Sequence, residues 1–327
     1  MIPWRETGGW LWKHLPEAGY TGDILCTVPK PGSFFNKRAV LPPYLREFWH
    51  LFASRARLEK YDVVFAWELR TAVAVALLRK MRPRNRQSCF VAVGPILKGP
   101  VLRVLPLVSW LLSEADKIVC FSRAECEAQA QQLGLPRAKF VFVPTAWQDE
   151  EIAPEVNRGY VFALGHSGRD YPTLLEAVNE VDLPVILAIR QESDLGGVAV
   201  PTNVAVRYRT EQSETDALIT GATLIVVPLQ AQAHSAGQSV LLRAMAQGKA
   251  IVVTDTEGIR DYICDGETAV VVPPRDPGAL RAAILRLWGD AAERKRLSAN
   301  AARAQREYFS FSRLTERLVG IANELRS

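Results

Sequence analysis

Three short segments in the second half of the chain combine glycine, hydroxyl and basic residues as anion binding requires. The first is Gly165-His166-Ser167-Gly168-Arg169-Asp170, directly after the apolar run GYVFAL. Glycines let the backbone come close to a ligand, the N–H groups of a starting helix favour phosphate, and a guanidinium grips phosphate with two hydrogen bonds. The second is Ala233-His234-Ser235-Ala236-Gly237-Gln238-Ser239, after the run ATLIVVP. Gly237 precedes an expected helix, and Ser239 or Gln238 is placed to cap it or to hold a ligand oxygen. The third, Thr254-Asp255-Thr256-Glu257-Gly258-Ile259, is expected to line the same crevice. Of the four histidines, His166 and His234 fall in these segments. No H-E-x-x-H, C-x-x-C or G-x-S-x-G occurs, which leaves zinc hydrolysis and α/β-hydrolase chemistry without support. A dehydrogenase is equally unsupported, because neither half has a glycine fingerprint with a later ribose-binding acid.

The elements that hold these segments are legible from residue 159 onward. Strands are expected at Gly159–Leu164, Pro184–Ile189, Ala205–Tyr208, Ala222–Pro228, Ala250–Thr254 and Thr268–Val272. Helices are expected at Asp170–Asn179, Glu211–Ile219, Gln238–Gln247 and Asp276–Trp288. Short Val- and Ile-rich runs alternating with amphipathic stretches indicate βαβ units and a parallel sheet covered on both faces. In such sheets ligands bind beyond the carboxyl ends of the strands, where all three segments fall. The first half reads similarly, with strands at Asp23–Val28, Asp62–Ala66, Phe90–Val93, Lys117–Phe121 and Lys139–Val143. Its helices are expected near Trp10–Ala18, Leu45–Leu58, Leu69–Met81 and Arg123–Leu133. Pro144–Asn157 has no periodicity and suits a linker. A last amphipathic helix from Ser310 is expected to pack back on the first domain. Gly8-Gly9 stands directly before the Trp10 helix, so the opening strand of a Rossmann-like domain is expected to be missing from this chain.

The 327 residues suit two domains, and 48% hydrophobic with 23% charged residues is the composition of a globular protein with a large core. The longest apolar stretch, Val101 to Leu112, is interrupted by Arg103, Pro106 and Ser109 and is shorter than the ~20 residues of a membrane span. No basic segment followed by an apolar run opens the chain, so a secretory signal is not expected. Five cysteines without metal-like spacing point to free thiols in a reducing compartment. The net charge of +5 is uneven: residues 1–150 hold 21 Lys and Arg against 13 Asp and Glu, residues 151–327 hold 19 against 22. The basic half includes Arg79-Lys80-Met81-Arg82-Pro83-Arg84-Asn85-Arg86, suited to anionic head groups or an acidic substrate. No nucleic-acid-binding motif accompanies it, so nucleic acid is not expected as a partner.

From about Asp116 to the C-terminus the chain resembles the group 1 (family 4) retaining glycosyltransferases. The segments that carry the resemblance are ADKIVCFSRAE, KFVFVPTAW, FALGHSGRDYPTLLEAV and, most specifically, SAGQSVLLRAMAQGKAIVVTDTEGIRDYICDGETAVVVPPRDPGAL. The resemblance implies the α/β GT-B fold, two Rossmann-like doubly wound domains facing each other across a cleft. Residues 1–150 would be the acceptor-side domain, with helix 310–327 packing back on it, and residues 151–309 the nucleotide-sugar donor domain. It further implies transfer of a sugar, with retention, from a UDP- or GDP-type nucleotide sugar to a glycan or lipid-linked acceptor, as in polysaccharide biosynthesis. No other cofactor and no metal is implied. Arg169 matches the basic residue that binds the donor diphosphate, and His166 stands near where the family has an earlier arginine, beside Gly165. Gly237 and Gln238 match positions whose backbone amides face the diphosphate, and Ser239 is a further donor-side candidate. Two family glutamates separated by seven intervening residues, which contact donor sugar and ribose, correspond to Ser235 and Arg243, so both are replaced. Gly8, Gly9, Trp67 and Glu68 are the acceptor-side candidates. The expected location is cytoplasmic, peripheral at an anionic inner membrane face. The replaced glutamates open an alternative: a catalytically degenerate relative that binds nucleotide or glycan, or serves as a partner subunit.

Overall fold

A computed structural model describes residues 15, 60–81, 88–97, 99–148, 157–231 and 236–327. The strand expected at Asp23–Val28, the helices expected at Trp10–Ala18 (Leu15 apart) and Leu45–Leu58, and the glycine pair Gly8 and Gly9 lie outside them. The chain divides into two compact units, Met1–Val143 with Thr315–Ser327, and Pro144–Leu314.

In the first unit, strands β1 (Val63–Trp67), β2 (Cys89–Val93), β3 (Lys117–Cys120) and β4 (Phe140–Phe142) form a parallel sheet in chain order. Helices α1 (Glu68–Lys80), α2 (Leu105–Leu112) and α3 (Arg123–Leu133) connect them. The sequence pattern missed α2. LPLVSWLL is apolar on every side and offers no 3.6-residue period, while Pro106 suits the first helical turn. Helix α3 opens on the capping pattern Ser122-x-x-Glu125: Ser122 Oγ accepts from the Glu125 N–H at 3.0 Å, and Gly134 closes the helix at φ +61°.

In the second unit, β5 (Val161–Leu164), β6 (Val185–Ile189), β7 (Val204–Tyr208), β8 (Leu224–Val227), β9 (Ala250–Thr254) and β10 (Val270–Val272) are all parallel, in the order β10-β9-β8-β5-β6-β7. This is the doubly wound order, and its switch point falls between β5 and β8. Helices α4 (Tyr171–Val178), α5 (Gln212–Gly221), α6 (Gln238–Ala246), α7 (Pro277–Gly289) and α8 (Ala291–Tyr308) cover it. Alternation along the strands sorts the core into two layers. Val161, Ala163, Leu224, Val226 and Val252 pack against α4 and α7, whereas Phe162, Leu164, Ile225, Val227 and Val253 pack against α6.

Helix α8 was also missed. Its 18 residues bury only Leu297, Ala301, Ala302 and Gln305, so the apolar stripe is too thin to register as a period. The passage from Pro144 to Gln148, expected as linker, is instead fastened to the second unit. The Thr145 N–H donates to the Tyr262 hydroxyl at 3.0 Å, and the Trp147 N–H donates to the Phe309 carbonyl at 3.0 Å. The last helix, α9 (Phe311–Arg326), ends against the first sheet, where Glu324 pairs with Lys117 at 3.0 Å and Arg326 with Asp62 at 3.3 Å. The described cysteines, Cys89, Cys120, Cys126 and Cys264, are free thiols. Among the described residues no helix is long and apolar enough to cross a membrane.

Candidate active site

The carboxyl ends of β5, β8 and β9 bond the first glycine-bearing segment to the residues that directly follow β8, and the second segment to the third. Asp170 N–H donates to the Pro228 carbonyl at 3.1 Å, and Gln230 N–H returns the link to the Gly168 carbonyl at 2.9 Å. Gln230 also donates through Nε2 to the Arg169 carbonyl at 3.1 Å. Thr254 Oγ1, at the end of β9, accepts from the buried Leu229 N–H at 3.0 Å. Gln238 Nε2 donates to the Gly258 carbonyl at 2.7 Å, which ties the start of α6 to the third segment. That segment is itself folded back by a two-pronged ion pair from Arg260 to Asp255, at 2.7 and 2.9 Å. The Arg260 guanidinium holds the Asp255 carboxyl below its ordinary value, against the opposing effect of partial burial.

Arg169 lies at the centre of this arrangement. Its side chain folds back under the loop that precedes it, donating from Nε to the Leu164 carbonyl and from Nη1 to the Ser167 carbonyl, each at 2.9 Å. Only glycine permits this. Gly165 sits at φ +105°, and a Cβ there would stand 2.5 Å from Arg169 Nη2. Tyr171 fixes the loop from below, its hydroxyl donating to the Gly165 carbonyl at 2.7 Å. Burial pushes the Tyr171 phenol well up, so that hydroxyl keeps its proton. Arg169 is 7% exposed, and burial works against its charge. Among the described residues no carboxylate pairs with it. Met among the described residues by carbonyl dipoles and by no carboxylate, this guanidinium keeps a positive charge that can attract an anion.

Gly237 takes the N-cap position of α6 at φ +89°, its Cα facing Leu229 and Val227 so closely that a Cβ would come within 3.1 Å of Leu229 carbons. No side chain among the described residues caps this helix, so of the two roles expected for Ser239 or Gln238, capping and holding a ligand oxygen, the first is not observed. Gln238 is buried and engaged with Gly258, and Ser239 is exposed on the first turn. The first-turn amides of α6 therefore have no intrahelical acceptor. His166 is exposed at the rim of the Gly165 loop. Arg243 is turned elsewhere, in an ion pair with Asp216 of α5 and 5.6 Å from the Trp147 ring centroid. His234 and Ser235 lie outside the described residues. Among the described residues no cluster of His, Cys, Asp and Glu is arranged to hold a metal ion.

In the first unit, Trp67 ends β1 and Glu68 begins α1 in a left-handed conformation, φ +65°. The Trp67 and Phe121 rings lie 6.3 Å apart, and Gly94 approaches Phe121 so closely that a Cβ would clash at 2.4 Å. Buried Glu125 accepts from the Phe121 N–H at 2.8 Å and from Gln129 Nε2 at 3.1 Å, and Gln129 also donates to the Pro95 carbonyl. Gly94, Phe121, Glu125 and Gln129 were not anticipated, although the Ser122-x-x-Glu125 capping pattern and the strand-ending Gly94-Pro95 were visible signals.

Two parallel α/β units in this order define the GT-B architecture. A glycosyltransferase from Rickettsia africae aligns over 98% of this chain and 94% of its own with a TM-score of 0.72 at 13% identity. The Anabaena protein HepE, solved in complex with UDP-glucose, aligns over 84% of this chain and 82% of its own with a TM-score of 0.68 at 14% identity. Residues 172–290 match the family model described as glycosyl transferases group 1. The chain is 28% identical over 250 residues to the D-rhamnosyltransferase WbpZ of Pseudomonas aeruginosa, an alignment covering 69% of this chain. The chain spans 22% and 64% of the lengths of the two curated relatives it matches.

Proposed function

We propose that the protein transfers a sugar, with retention, from a UDP- or GDP-type nucleotide sugar to a glycan or lipid-linked acceptor. The observation that carries this reading is the buried Arg169 guanidinium, held by carbonyls and, among the described residues, without a carboxylate, at the switch point beside the start of α6, which no described side chain caps. As the glycosidic bond to the leaving nucleoside diphosphate breaks, negative charge builds on the phosphates. Arg169 and the amides of Gln238 and Ser239 are placed to stabilise that charge without reorganising, the electrostatic contribution that usually dominates. Gly165 and Gly237 keep the backbone close enough to serve, and His166 stands at the rim. In this reading the site needs no resident metal or cofactor. The HepE complex with UDP-glucose, a protein of like fold, supports a nucleotide-sugar donor.

The first unit supplies the acceptor side, with Trp67 and Glu68 as contacts, working from the cytoplasmic face of a membrane. Titrating UDP, GDP and their sugars while following the melting temperature tests the donor reading, since a ligand of the folded state raises it. Losing a charged hydrogen bond to phosphate costs about 1.5–3 kcal/mol, so Arg169→Ala should weaken binding about tenfold to a hundredfold. Arg169→Lys, which keeps charge but not the fork, should fall between. An unchanged response in Arg169→Ala overturns the assignment. A second reading is favoured by Arg243, which occupies a family glutamate position yet is engaged with Asp216. It is that of a relative binding nucleotide without transfer, and donor binding with no turnover across a broad acceptor screen would establish it.

A further inference from the structure

The ion pair between Arg243 of α6 and Asp216 of α5 is asymmetric. The guanidinium is enclosed, its side chain 7% exposed, while the carboxylate that it grips stands 43% exposed. A buried cation needs a partner, yet such a pair adds little stability over an apolar contact. What it does provide is a carboxylate held in one place and open to solvent. Gln212, one turn earlier on α5, donates from Nε2 to the second carboxylate oxygen at 3.3 Å, a long bond that a better donor can replace.

The pair lies near the ligand edge of the second sheet. Helix α5 follows β7 and α6 follows β8, so both start at the carboxyl ends of strands. They cover the same face, Leu218 and Ile219 of α5 beside Val240, Leu241 and Met245 of α6. At their far ends Thr220 Oγ1 reaches Gln247 Oε1 at 3.3 Å. Asp216 and Arg243 each stand in the second turn of their helix. Side chains on a helix lean toward its N-terminus, so Arg243 leans toward Ser239, four residues earlier on the same face. Ser239 is exposed, and its amide is one of those assigned to the diphosphate. Arg243 thus stands about one helical turn, roughly 5 Å, beyond the first-turn amides, with Asp216 beside it. The neighbouring carboxylates of fixed position are engaged otherwise: Asp170 caps α4, Asp194 closes the turn after β6, and Asp255 is folded onto Arg260.

We propose that Asp216 accepts the ribose hydroxyls of the donor nucleotide and that Arg243 is the residue that positions it. In a nucleoside diphosphate the ribose is joined directly to the phosphates, and its two vicinal hydroxyls are donors at a fixed spacing. An ionised carboxylate only accepts, through two oxygens, and so suits both. A lone carboxylate this close to a diphosphate would repel it. Arg243 cancels that charge, so the pair takes hydroxyls without opposing the phosphates. The engagement of Arg243 with α5 thereby serves donor binding whether or not transfer follows. The inference rests on the nucleotide-sugar donor reading and adds to it the residue that recognises the ribose.

The test is a melting-temperature titration of the full chain with UDP and GDP and with their 2′,3′-dideoxy counterparts. The unsubstituted chain should bind a ribonucleotide about tenfold or more tightly than its dideoxy form, the loss expected when a charged acceptor is left without its donors. Asp216→Ala should bind the two forms alike, and the dideoxy form at least as tightly as the unsubstituted chain does. Arg243→Met, which leaves the carboxylate without its counter-charge, should weaken both forms. A merely structural ion pair would lower the melting temperature and leave the ratio between the two forms unchanged. Asp216→Asn, which keeps the size and loses the charge, should narrow the ratio and serves if Asp216→Ala melts early. Equal binding of the two forms by the unsubstituted chain overturns the proposal, as does a preference undiminished in both Asp216 variants, and in either case the donor reading stands. No response to any nucleotide removes the donor reading and the ribose assignment together.

Discussion

Glu68 is held at φ +65°, a conformation that costs a non-glycine residue about 1–2 kcal/mol. Its carboxylate at the first turn of α1 returns about 0.3–1 kcal/mol through the helix dipole. The strain is the larger, so Glu68→Gly should raise stability by about 0.5–1 kcal/mol. If the carboxylate contacts the acceptor, the same substitution should lower transfer, and measuring melting and turnover together would show strain kept for function. Gly165 presents the opposite case. Alanine there meets both a left-handed φ and the Arg169 guanidinium at 2.5 Å, so Gly165→Ala should destabilise by about 1–3 kcal/mol. It should also remove the nucleotide-induced rise in melting temperature, because the side chain it displaces is Arg169. A Gly165→Ala chain that melts early yet binds nucleotide normally would separate Arg169 from the donor.

The elements act on the site through contacts that no local pattern announces. The strand and helix alternation of the second unit was legible because its central strands β5, β8 and β9 are buried on both faces and read as unbroken apolar runs. The polar α8 and the uniformly apolar α2 lack the contrast on which a period depends. Gly165, Arg169 and Gly237 stood out by residue type and position after strands. The bonds from Thr254 to Leu229, from Gln238 to Gly258 and from Arg243 to Asp216 span 25, 20 and 27 residues, and only the folded sheet brings their ends together. The first of these can be measured. Thr254→Val keeps the shape but leaves the buried Leu229 N–H without an acceptor, a loss of about 1–3 kcal/mol that urea denaturation would read. The Asp255–Arg260 pair adds a pH dependence. A carboxyl held below its ordinary 3.8 contributes stability that is present above that value and lost as pH falls through the lower folded value. Asp255→Asn should therefore flatten the acid limb of the melting curve and leave neutral-pH binding intact.

At the scale of the whole molecule, one helix belongs to both units. Helix α9 begins within the second unit, and from Thr315 it belongs to the first. Its Leu318, Ile321 and Ala322 are 3%, 5% and 3% exposed, and its last turn carries the pairs with Lys117 and Asp62 and accepts the Cys89 thiol at the Leu325 carbonyl. The first sheet, four-stranded among the described residues, thus draws part of its closure from residues that follow the entire second unit in sequence. Its stability depends on a chain segment that begins at Thr315, 173 residues beyond the end of β4 at Phe142, whereas the described sheet of the second unit lies within Pro144–Leu314. A cavity at Leu318 should therefore act on one unit. Leu318→Ala removes a buried side chain at a cost of about 2–5 kcal/mol, and that loss should fall on the first unit. In a calorimetric scan the transition of the first unit should move down while that of the second unit stays in place. Both transitions falling together would mean that the two units unfold as one cooperative body, with α9 as the element that couples them.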